Sequence, residues 1–319
     1  MDEKKLYPLS FCTIADEYGW GTDTFLLADL GYRDSFIRDG WLAGNTMSEI
    51  MSTYLDRVVG DNAFSYWGLQ FPLQIKQISV KGTMPLRVHP DAVTALQRYD
   101  ALGRRKLWYV LSADAGARLL VGWDKDTDAS EVFAACGDGS VGKMLKTFKP
   151  KAGDFILIPS GTPHAAAGNL EIIEISESSA LDFCLSGLGE EVHPDEFDGS
   201  LSLVDALDFI DYKEFKGKPG HGGDKLADCE EFSVARMVLN APVHIGDEAD
   251  AFAIYLCIKG AASIVIDVLG QAARFALKPG APVLVPAECP SFTIVPESRD
   301  TEMLEITVPT QSEKDSYLG

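Results

Sequence analysis

The sequence predicts a mainly β chain with added helices, built as two related antiparallel barrels. Its apolar runs are short, rich in Val, Ile, Phe and Tyr, and punctuated by Gly, Pro or Asp, as in FPLQIKQISV, KLWYVLSA, DFILIPS, FAIYLCIKG and EMLEITV. That is the signature of a sandwich or barrel rather than of a parallel sheet. A gapless internal repeat aligns Pro150 to His164 with Leu277 to Ser291, matching Lys151 to Lys278, Gly153 to Gly280, Leu157 to Leu284, Pro159 to Pro286 and Pro163 to Pro290. Between Asp182 and Gly223 a stretch rich in glycine and acids reads as a crossover linker. The expected organisation is residues 1–185 for an N-terminal region and first barrel, 186–223 for the linker, and 224–319 for a second, metal-free barrel.

Along the chain, Asn45 to Val59 places Ile50, Met51, Tyr54, Leu55 and Val58 at helical spacing, which predicts one amphipathic helix with Ser48 as its N-cap. A second helix is expected after Pro90, and one or two more between Asp128 and Lys146, broken near Gly137 and Gly139. Each half then carries a strand pair joined through a glycine, Trp108 to Leu119 with Gly116 and Ile254 to Ile264 with Gly260. The glycine and proline turns of the repeat follow.

Lys and Arg number 28 against 48 Asp and Glu, a formal net charge of -20, so phosphate backbones and anionic lipid surfaces are repelled. Nucleic-acid and membrane roles are disfavoured. The six cysteines form no CxxC pair and read as reduced thiols. Met1 is followed by charged residues rather than an apolar run, and the expected location is cytoplasmic.

Gly153, Pro159, Gly161 and His164 fit the second cupin motif, in which a glycine turn opens a strand and a proline-glycine turn delivers a histidine into a barrel mouth. Taken with Phe71 to Ala92, Tyr99 to Val110, Lys151 to Ala165, Glu171 to Ser179 and Trp20-Gly21, the chain resembles the type I phosphomannose isomerases in order and spacing. The resemblance implies two cupin-like jelly-roll barrels, zinc as cofactor, and interconversion of mannose 6-phosphate and fructose 6-phosphate.

Measured against that family, only two of its metal ligands remain, His89 and His164; Arg87 stands at the glutamine position and Lys106 at the glutamate position. Two unit charges ~4 Å apart cost roughly 4 kcal/mol at an effective dielectric near 20, so a dication facing Lys106 costs about twice that. No bound cofactor is expected. The family's lysine aligns with Arg104, and its catalytic arginine falls at Cys184, which reads as a buried core thiol. Arg87, Arg104 and Lys106 together form a cationic mouth suited to a sugar phosphate or other small anion. Three functions remain open: a ligand-binding relative without zinc-dependent activity, an isomerase whose site is remodelled through ligands such as Glu171 or Glu174, with Arg104 as electrophile and Glu174 as candidate base, and an interaction scaffold. Lys106 and Arg87 turned to solvent by a register shift is the bland alternative, and His193, His221 and His244 are expected to be solvated.

Overall fold

The computed structural model describes residues 4–186, 188, 203–246, 250–268, 271–289 and 291–311. They divide into two compact units, one of residues 15–24 and 74–222, the other of residues 1–14, 25–73 and 223–319. These bounds differ from the sequence division, because residues 1–14 and 25–73 group with the C-terminal sheets. The expected linker lies in good part outside the described residues.

The first unit is built on two antiparallel sheets. The larger has the order Gly220–His221, Asp154–Ile158, Lys106–Ala113, Leu170–Glu177, Leu73–Val80, Gly21–Leu27, Ile14–Tyr18. The smaller runs Phe183–Ser186, Leu86–Val88, His164–Ala167, Arg118–Trp123, Leu145–Phe148. One core is drawn from both, with Trp108, Val110, Ile156 and Ile172 from the first and Val88, Val121, Ala165 and Phe183 from the second. Helices Ala92–Tyr99 and Ala129–Asp138 start at Asp91 and Asp128, whose side chains accept from Thr94 N and Glu131 N.

The second unit repeats the plan with a six-stranded and a four-stranded sheet. Its local hydrogen bonds reproduce those of the first at the positions the repeat aligns. Gly153 N donates to Val110 O at 2.9 Å, and Gly280 N to Cys257 O at the same distance. Thr162 N donates to Pro159 O, and Cys289 N to Pro286 O. Gly153 and Gly280 share a left-handed backbone, φ +87° and +74°, which favours glycine.

One helical expectation is corrected. Asn45 to Val59 forms two helices, Met47–Tyr54 and Asp56–Val59, separated at Leu55, where φ is +52°. The cap is Thr46, in a capping box with Glu49, while Ser48 bonds Asp34 instead. A further helix, Asp61–Trp67, was not anticipated from the spacing.

Candidate functional site

Strand alternation gathers the charged residues inside the first unit. Lys106 and Trp108 point to one face of their strand, and register sets Glu174 opposite Trp108 and Ser176 opposite Lys106 on the neighbouring strand. In the smaller sheet His164 pairs with Arg87, and His89 follows Arg87 two residues on. Arg87, His89, Arg104, Lys106, His164 and Glu174 are all buried. The solvent-facing alternative for Arg87 and Lys106 is therefore set aside.

Glu174 is the hub. It accepts from Arg104 Nη2 at 3.1 Å, Lys106 Nζ at 3.0 Å and Trp108 Nε1 at 2.8 Å, with Lys76 Nζ 3.7 Å away. Burial opposes its ionisation, but Lys106, Lys76 and Arg104 outweigh that and hold its pKa well below the usual carboxylate range. Lys76 also binds Asp23 at 2.9 Å. With its amide oxygen turned toward Arg104, Gln74 accepts from Nε and Nη2 at 3.0 and 2.9 Å. Arg87 pairs with Asp182, and its guanidinium carbon lies 5.8 Å from the centre of the Trp20 ring.

The expected cationic mouth is thus matched from within. Four cations, Lys76, Arg87, Arg104 and Lys106, face three carboxylates, Asp23, Glu174 and Asp182. Lys76, Asp23 and Asp182 were missed in the sequence, where LQIKQISV reads as an ordinary strand and nothing in the spacing marks which charges converge. Glu171, the other candidate for a remodelled ligand, accepts from Gln77 and Ser79. Cys184, beside Arg87 in register, is pushed up to about 11 by burial. His221 and His244 are exposed, and His193 lies outside the described residues.

The two histidines keep the geometry of metal ligands without a place for the metal. His89 Nδ1 lies 3.0 Å from Leu181 O and His164 Nδ1 2.8 Å from Thr162 O, contacts that place the proton on Nδ1 and the lone pair on Nε2. Their rings are 5.2 Å apart. Burial, reinforced by Lys106, lowers both pKa values, His164 to about 3. Yet Lys106 Nζ sits 2.9 Å from His89 Nε2 and takes up that lone pair. Among the described residues no three His, Cys, Asp or Glu side chains gather as a metal ion needs. The residues present do not fit the zinc that the resemblance implies.

Among the described residues, buried polar atoms near this network that lack a hydrogen-bond partner include Trp20 Nε1, Asp23 Oδ1 and Asp182 Oδ1. Asp182 keeps a side-chain exposure of 24%, against 8% or less for Arg87, Arg104, Lys106 and Glu174. The network therefore meets solvent most openly at the Arg87–Asp182 pair.

No family model matches the chain. It is 32% identical over 146 residues to the mannose-6-phosphate isomerase of Streptococcus mutans, an alignment covering 46% of this chain and 44% of that protein. The chain thus spans less than half the length of that relative. With YvyI of Bacillus subtilis, whose naming as a mannose-6-phosphate isomerase is provisional, it is 24% identical over 269 residues, covering 82% of this chain and 81% of that one. Among solved structures, the mannose 6-phosphate isomerase of Bacillus subtilis superposes with a TM-score of 0.79 at 20% identity, covering 94% of this chain and 99% of that one. A phosphomannose isomerase variant from Salmonella typhimurium superposes at 0.72 with 12% identity, over 95% of this chain and 100% of that one. These likenesses fix the fold as that of these isomerases. No helix among the described residues is long and apolar enough to cross a membrane.

Proposed function

We propose, from the premise that this chain is a relative of the mannose-6-phosphate isomerases, that it binds a sugar phosphate or a similar small anion at Arg87 and does not carry out zinc-dependent isomerisation. The observation that supports the ligand is the Arg87–Asp182 pair beside Trp20. Asp182 occupies the guanidinium as an incoming anion would, and it is the most exposed member of the network. A phosphate displacing it meets Arg87, while sugar hydroxyls, able both to donate and to accept, suit the unpartnered Trp20 Nε1 and Asp182 Oδ1. The engagement of His89 Nε2 by Lys106 argues against zinc-dependent activity.

The test is a thermal-shift and calorimetric titration with mannose 6-phosphate, inorganic phosphate and mannose. Asp182→Asn removes the competing charge and is expected to tighten phosphate-bearing ligands, whereas Arg87→Gln weakens them by about tenfold or more, the value of a charge-assisted contact. A melting temperature unmoved by millimolar sugar phosphate in both the native chain and Asp182→Asn would sink the reading.

One observation favours a second reading, a metal-free isomerase in which Arg104 steadies the developing enediolate and Glu174 and Lys106 carry the proton. Burial, with Arg104 and Lys76 adding to it against Glu174, brings Lys106 down to about 7, where it exchanges a proton at neutral pH. Incorporation of solvent deuterium at C2 of mannose 6-phosphate, without added metal, distinguishes it from the binding protein.

A further inference from the structure

Lys106 does more than exclude a metal. Its Nζ stands 2.9 Å from His89 Nε2 and 3.0 Å from Glu174 Oε2, one imidazole and one carboxylate, the partners a divalent cation would take. The surrounding support is still in place, since both histidines have Nδ1 against backbone carbonyls at 3.0 and 2.8 Å, and Trp108 and Arg104 orient Glu174. The His164 ring stands 5.2 Å from that of His89. Such fixed imidazoles are what a ligand set needs and what a merely hydrophobic core does not.

We infer that Lys106 is the site's own cation, its ammonium replacing a divalent ion between His89 and Glu174, so that its substitution uncovers a latent zinc site of His89, His164 and a carboxylate. The inference rests on the preceding reading only in placing the site. Lys106→Glu replaces a repelling charge with a hard oxygen ligand beside two imidazoles. Lys106→Met removes the charge at nearly the same shape and leaves Glu174 as the oxygen ligand. Lys76→Met serves as control, because Lys76 approaches Glu174 at 3.7 Å from the Asp23 side.

The experiment is calorimetric titration with zinc, metal content after dialysis, and the visible spectrum after cobalt(II) addition. The native chain is expected to take up no stoichiometric metal. Lys106→Glu is expected to bind about one zinc per chain, roughly 100-fold tighter or more than the native chain, with a tetrahedral cobalt spectrum and a melting temperature that rises with zinc. Lys106→Met should bind more weakly than Lys106→Glu, and Lys76→Met should gain nothing. A native chain binding zinc as tightly as Lys106→Glu, or an equal gain in Lys76→Met, overturns the inference. If Lys106→Glu does not fold, Lys106→Met decides alone: a gain over the native chain supports the inference, and none defeats it. The sugar-phosphate titration of the native chain runs in parallel, and its failure defeats the ligand reading while leaving the zinc result standing.

Discussion

At Glu174 one carboxylate answers Arg104, Lys106 and the nearby Lys76, all buried. Removing one partner from such a group leaves uncompensated charge in a medium that cannot solvate it. Glu174→Gln is therefore expected to destabilise the chain by about 3–5 kcal/mol, measured by urea denaturation. Adding Lys106→Met to it should recover part of the loss, and strict additivity in that double-mutant cycle would refute the coupling. The same cluster shows what a sequence can and cannot give at this scale. His164 was legible from the glycine and proline spacing, Glu174 from the alternation along its strand, and Arg87, His89, Arg104 and Lys106 only through the family resemblance. Lys76, Asp23 and Asp182 were not, because their meeting depends on which strands become neighbours and on where the chain returns after the Ser178-Ser179 pair.

The turns that aim these side chains were the most legible elements, because glycine and proline at fixed spacing leave the backbone little choice. Gly161 has φ +76°, and its N–H donates to His89 O at 2.7 Å. A Cβ there would lie 2.8 Å from Phe209 O. Gly161→Ala is expected to cost about 1–3 kcal/mol through backbone strain and that clash, and an unchanged denaturation midpoint would show that the turn relaxes. Helix boundaries were harder to read. Apolar spacing ran through Leu55, but the Leu55 N–H closes onto Met51 O and the backbone turns left-handed there. Thr46 took the cap because Glu49 stands where the reciprocal bond requires it.

For the whole molecule, the repeat predicted two β units but not their composition. The strand Leu9–Ser10 pairs with Pro282–Val285, Arg57 bonds Glu288, Asn62 bonds Gln311, and Phe71 packs on Phe252, so distant parts of the chain complete one unit. A fragment of residues 224–319 lacks these partners and is expected to remain unfolded, with poor amide dispersion by NMR. A cooperative, dispersed fragment would support the boundary drawn from the sequence. Distant closures of this kind leave no local trace, since each joins ordinary apolar or polar residues far apart in the chain. The lysine at the centre of the other unit has a consequence of a different order. A cation carried on a side chain cannot be chelated, diluted or exchanged for a competing ion, and it is installed when the chain is synthesised. The charge at this site is therefore independent of the cell's metal supply.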